Sequence, residues 1–457
     1  MPARFSSADK NGKSTLGPIV IWVATRPGTI NLELAQDASS DILQILKGYQ
    51  VEGAVVEWIE GSVKKLAGPP LMDITQHKDP TYSVRRPFTV ALGMPIATKE
   101  REEEDASGTV SFYFHEGGDS NKVFGVTNKH VLHKDVSVDY LFGGAGAPPQ
   151  PVRLCGDRRF KSAIADISNL VTNGLSEAVK STEELMRLQN EQQSKNPEQA
   201  EDNEDAWSEA IQELSDINKK NVRLNAFSHD LHTHWTDITH RNIGHVHWAP
   251  SISIVPHSSL GARDGYTRDI GTFELEAAKF QEHFRGNIVD LGEKYGRMEL
   301  NKKFGISDTT GDQIPPDRVL RICGVVERKF LKMSVHYDDN EVPVFIVGKD
   351  GNTSGLTLGR YCGLEAYVHD ENATPSRSIE VAIFNYDMNS GDFSTWGDSG
   401  ALIWTSDGRM LAVLHSGMPR GFYDKTHVTF GTPAWWVVEQ LKAQYPNADF
   451  DRTSYFP

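Results

Sequence analysis

From about Pro95 the chain is written in short alternating runs, GTVSFYF, KVFGVTN, VDYLF and PVRLC, separated by turn-forming clusters such as HEGGDSN. Alternation with a period of two points one face of each run inward, and many short runs of this kind predict an antiparallel sandwich or barrel. The texture resumes at IGHVHWAP and RDIGTFEL. It then continues through RVLRICGVVE, VPVFIVGKDG, IEVAIFNYD, SGALIWTS, MLAVLHSG and HVTFGTP, which read as a second β unit with Gly-rich turns. AWWVVEQLKAQY, Ala434 to Tyr445, reads as a closing helix.

Between about Leu170 and Asn225 the β texture stops. Trp207, Ile211, Leu214 and Ile217 recur every three or four residues, as on one helix face, and Leu175, Val179 and Met186 suggest an earlier helix. NEQQSKNPEQAEDNED between them reads as a polar turn. This segment is expected to be a helical hairpin inserted into the β domain. It is either a solvated excursion or a docking arm for a protein partner.

The first 95 residues have another character. Residues 1–17 read as a polar tail, IVIWVA as a strand, SSDILQILKGYQ as a helix capped by Ser39 or Ser40, and VEGAVVEWIEG as a second strand. The expected organisation is an N-terminal α/β extension (1–95), a first barrel (96–169 and 226–300) split by the insertion (170–225), and a second barrel with the closing helix (301–457).

Charge and cysteine content exclude several functions. The formal net charge is −15. From Ser181 to Asp216 there are 11 acids against 2 bases, so most of the excess sits in the insertion. Nucleic-acid binding needs the opposite field, and no basic patch offsets this one. No apolar run is long enough to cross a membrane, and the first residues hold no secretory signal. Three dispersed cysteines, Cys155, Cys323 and Cys362, give no disulfide framework and are expected to be free thiols of a cytoplasmic protein. Six of the sixteen histidines fall between His229 and His247. His245 and His247 share a strand face, but no acidic or thiol partner stands at ligand spacing, so neither a metal nor a cofactor is expected. GNTSGLTLG lacks the Lys-Ser/Thr ending of a phosphate loop and reads as a turn.

The stretch STWGDSGALIW sets Ser399 between Asp398 and Gly400 in front of an apolar run. Such a serine is either a nucleophile or a turn residue ahead of a strand. A nucleophilic serine needs a base within reach, and the base needs a partner that fixes its tautomer. VFGVTNKHVLHK places His130 just after a strand end, where it can project into a cleft. His133 is the nearby competitor and is expected to face solvent.

At these residues the chain resembles a family. VTNKHVL resembles the histidine segment of chymotrypsin-like serine proteases, RDIGTFEL their aspartate segment and WGDSGALIW their serine segment. The order His, Asp, Ser fits that family. GKDGNTSGLTLG and HVTFGTPAWWVVEQL resemble segments of intracellular members, including fungal trypsin-like proteins. The resemblance spans residues 95 to 445 without the insertion. It implies a mainly β chymotrypsin-like double β-barrel and a serine endopeptidase acting on protein or peptide substrates. Ser399 would be the nucleophile, His130 the general base, and the N–H groups of Gly397 and Ser399 the oxyanion hole. A side chain at 397 would hinder the required conformation, and Asp398 would support the hole from behind. Two aspartates compete to orient His130. Asp166, in IADISNL, reads as part of a strand; Asp269 is preferred because YTRDIGTFEL carries the family's pattern.

The same resemblance puts the floor of the substrate pocket six residues before the nucleophile, at Phe393. No carboxylate stands there to receive Arg or Lys. Ser394 and His415 would give that pocket hydrogen-bonding groups suited to an acidic or amide side chain. Two features depart from secreted members: Val131 and Thr395 stand where cysteines are usual, and Asp398 has no freed N-terminus in view to pair with. The rival readings are a protease-fold binding protein without activity and an esterase with the same triad.

Overall fold

The computed structural model describes residues 2–8, 14–25, 30–60, 68–102, 107–144, 146–192, 197–261, 263–306, 314–331, 344–369, 377–418 and 427–456. They fall into two compact units, Met1–Leu66 and Ala67–Pro457.

In the first unit, strands Ser14–Thr25 and Val55–Glu60 pair in parallel around the helix Leu32–Gly48. Two details differ from expectation. Pro2–Ala8, inside the supposed polar tail, forms an antiparallel edge strand on Ser14–Thr25. The helix begins a full two turns early, capped by Asn31, whose side chain accepts from the Leu34 N–H at 2.9 Å. Ser39 and Ser40 instead lie within the helix and bond back to the carbonyls of Ala35 and Gln36.

The second unit is mainly β, with one closed six-stranded barrel and a second sheet that forms a half-barrel, consistent with the expected chymotrypsin-like double β-barrel. One barrel is closed: Arg377–Asn385, Gly355–Tyr361, Phe345–Gly351, Leu402–Thr405, Met410–Met418 and Val428–Pro433 pair in that order, and the last pairs back onto the first. The other sheet runs Gly108–Thr109, Pro95–Thr98, Pro151–Leu154, Asn242–Ala249, Gly271–Leu275, Ser120–Thr127, Phe112–Gly117. The boundary near residue 95 does not hold. Leu71, Phe88 and Val90 are buried in the same core as Phe112, Val126 and Trp235, so the unit that holds the barrels takes in the chain from Ala67 onward.

The insertion is longer than its periodicity suggested. Two helices, Asp157–Gln192 and Pro197–His234, replace the expected 170–225. Asp166 is therefore helical rather than part of a strand. Ile167, Leu224, Phe227 and Leu231 are buried, whereas Leu175, Val179 and Met186 are exposed, so the packed face is not the one those three residues mark. The YTRDIGTFEL run also breaks in two. Asp264–Arg268 joins the closed barrel beside Arg377–Asn385, and Gly271–Leu275 joins the other sheet. Asp269 and Ile270 are the crossing between the two sheets.

Candidate active site

His130 lies one turn after the strand Ser120–Thr127, in the short helix Lys129–Leu132. Asp269 reaches it from the crossing. Its two oxygens engage the histidine twice: Oδ2 stands 2.5 Å from His130 Nδ1, and Oδ1 accepts from the His130 backbone N–H at 3.2 Å. Burial pushes the Asp269 carboxyl up. The nearby His130 charge, its hydrogen bonds and the charge of His415 outweigh this and hold it below the usual carboxylate range. Asn128 fixes the Asp269 backbone by donating to its carbonyl at 2.8 Å. Of the two aspartates weighed from sequence, Asp269 is the one bonded to His130; Asp166 stands on the wall of the adjoining cleft.

His133 does not face solvent. It is 8 % exposed and packs on Tyr140, with ring centroids 4.7 Å apart. Burial, with Lys129 nearby, pushes its pKa down to about 4.

Ser399 sits in the loop between strands Arg377–Asn385 and Leu402–Thr405, half-buried. It lines a cleft of about 880 Å³ together with His130, Gly397 and Trp396. Among the described residues no hydrogen bond joins Ser399 Oγ to His130, a separation common in unliganded sites of this chemistry. Gly397 has φ +96°, and a Cβ there would stand 2.3 Å from Thr353 Oγ1, so only glycine fits. Among the described residues, neither the Gly397 nor the Ser399 N–H donates to another group of the chain. Both are left available to an anionic oxygen.

The loop is held from beneath by Asp398, which is fully buried. Its Oδ1 accepts from the N–H groups of Thr353 and Ser354 at 3.0 and 3.1 Å. Its Oδ2 accepts from the Thr395 N–H at 3.0 Å and the Ser354 hydroxyl at 2.6 Å. The Lys349 ammonium, equally buried, completes the set at 3.2 Å. A Cβ on Gly351 would stand 2.4 Å from Asp398 Oδ1, which explains glycine beside this carboxylate. Burial pushes the Asp398 carboxyl up, but Lys349 and the hydrogen bonds hold it below the usual range. Lys349 was missed from sequence, although a signal was present. In VPVFIVGKDG it shares the inward, period-two face of Val347 and Phe345.

The three residues expected at the substrate pocket are engaged within the closed barrel. Phe393 is 1 % exposed, in the core of the closed barrel with Tyr361 and Ile383. Ser394 is buried with its hydroxyl 2.6 Å from that of Thr429. His415 Nε2 lies 2.9 Å from Glu380 Oε2, with both side chains buried. Burial pushes the His415 pKa down, but Glu380 outweighs it and holds the imidazole above its ordinary value. Residues 419–426, which follow this strand, lie outside the described residues. Of the histidine cluster, His245 lies 3.9 Å from Glu274, and His247 Nδ1 is 2.8 Å from the Tyr445 hydroxyl. The three cysteines are unpaired.

No family model matches the chain. No curated protein matches it either. Solved structures similar to it include proteases. Thermobifida fusca protease A is 9 % identical, covering 78 % of this chain and 96 % of its own, with TM-score 0.30. A Nocardiopsis protease is 10 % identical, covering 79 % and 99 %, with TM-score 0.32. A glutamic acid-specific serine protease is 11 % identical, covering 78 % and 97 %, with TM-score 0.30. None of these names supports the fungal, intracellular subtype.

Proposed function

We propose that the protein is a serine endopeptidase. The observation that supports this most is the double engagement of His130 by the buried Asp269, in a cleft shared with Ser399 and the two unpartnered N–H groups of Gly397 and Ser399. The Asp269 contact holds the Nδ1–H tautomer, which leaves Nε2 as the base. Ser399 Oγ attacks the peptide carbonyl while His130 Nε2 takes its proton. The carbonyl oxygen becomes an oxyanion held by the Gly397 and Ser399 N–H groups. His130 then gives the proton to the leaving amine, and an acyl-enzyme remains at Ser399 Oγ. Water, deprotonated by His130, releases the acid and restores the serine. Asp398 acts through the backbone of the loop and is a positioning residue.

With Phe393 apolar and in the core, nothing at that position would receive Arg or Lys. Cleavage of a peptide library, profiled by mass spectrometry beside Ser399→Ala, tests this reading. Defined cuts in the wild type that vanish in the variant support it. Cuts that persist in Ser399→Ala exclude it.

A further inference from the structure

The cleft beside Ser399 is not walled by the barrels alone. Gly156, Asp157, Arg158, Arg159, Ser162 and Asp166, the first turns of the inserted hairpin, form one side of it. That side is clamped in place. Arg241, at the far end of the hairpin, is almost fully buried; it donates to the Cys155 carbonyl at 2.8 Å and pairs with Asp157 at 2.6 Å. Its guanidinium lies 4.4 Å from the centre of the Phe160 ring, and Phe160 is buried in the core. Residues on both sides of Arg159 are thereby fixed.

The charges facing this cleft are Arg101, His130, Arg158, Arg159, Asp157 and Asp166. Asp157 is neutralised by Arg241, and Arg101 and Arg158 are engaged by other groups. Arg159 is half-buried and has no carboxylate partner among the described residues. It also lines an adjoining recess with Asn352, Thr353, Arg86 and Asp350, where Arg86 occupies Asp350 at 2.5 Å. Asp166 lies two turns along the same helix, about 10 Å further by helical rise. In a chain of net charge −15, a cleft wall with an uncompensated guanidinium does not follow from composition.

We infer that Arg159 is a substrate subsite for an anionic side chain, Asp, Glu or a phosphorylated residue, placed within a few residues of the scissile bond. The inserted hairpin is then a specificity element as well as an excursion from the barrel. The planar fork of arginine matches carboxylate and phosphate oxygens two at a time, and the fixed residues on either side of Arg159 set where that fork starts. This inference rests on the protease reading above.

The test uses the full chain and matched peptides that carry Asp, Glu or phosphoserine, or neutral Asn, Gln or Ser, at each position around the cleaved bond. At one position the anionic peptides should have kcat/KM about tenfold above their neutral partners, the effect of one charge-assisted contact. Comparison of the Asp, Glu and phosphoserine arms identifies the preferred anion. The ratio should fall to parity in Arg159→Gln, survive in part in Arg159→Lys and reverse in Arg159→Glu. Added salt should shrink it. Because the ratio is read within each variant, a folding defect cancels. An unchanged ratio in Arg159→Gln overturns the subsite. Fluorophosphonate labelling of Ser399 without any charge preference overturns the subsite alone; no labelling and no cleavage removes the protease reading with it.

Discussion

Lys349 and Asp398 form an ion pair 3.2 Å long with both side chains fully buried, directly beneath the loop that carries Ser399. In zymogens of the family that the chain resembles, a freed N-terminus pairs with the equivalent of Asp398. Here an internal ammonium, fixed in a barrel strand, stands against that carboxylate. The loop therefore has its counter-charge as soon as the barrel folds. Lys349→Met leaves a buried carboxylate unpaired, which costs about 3–5 kcal/mol. The expected outcome is a large fall in the thermal midpoint together with lost fluorophosphonate reactivity. A variant as stable and reactive as the wild type would show that the pair does not hold the loop.

Gly397→Ala separates the oxyanion loop from the fold. The strain is local, at φ +96° and against Thr353 Oγ1. Turnover should fall by about 10²–10³, the usual loss when one donor of such a hole is displaced. Circular dichroism should remain that of the wild type. Full activity in this variant would exclude the Gly397 N–H from the reaction.

Asp269→Asn should lower kcat by about 10⁴, because an amide at this place favours the wrong tautomer of His130. The Asp166→Asn variant, measured beside it, should lose far less. The opposite order would reassign the aspartate.

His415 should make stability pH-dependent. Its pKa is raised in the folded chain by Glu380, so its contribution is complete below the ordinary value of 6.5 and is lost as pH rises through the folded pKa. Thermal midpoints of wild type and His415→Gln should therefore differ most near pH 5.5 and converge at alkaline pH. A gap that widens with pH would falsify the buried pair as the cause.

The sequence carried these elements unequally. Strand runs such as IEVAIFNYD and MLAVLHSG were legible because their alternation is set by a nearby core. The contact of His130 with Asp269, and the cleft shared by His130, Gly397 and Ser399, were legible because the segments that carry them are local in sequence. The pairing of Lys349 with Asp398 was not, since it joins residues 49 positions apart and depends on barrel closure. The start of the hairpin at Asp157 was hidden for a similar reason. Phe160 in its first turns packs on Arg241 and Phe88, contacts that the fold sets and local periodicity does not show. The Glu380–His415 pair likewise links two strands through the interior, so neither residue's neighbours announce it.

Covalent labelling of Ser399 tests the central claim most directly. Purified full-length protein treated with a fluorophosphonate should gain a single adduct, mapped by peptide mass spectrometry to Ser399. Ser399→Ala should gain none, and His130→Ala should react far more slowly, because the hydroxyl then lacks its base. An adduct on another serine, or labelling of Ser399→Ala equal to that of the wild type, would contradict the account.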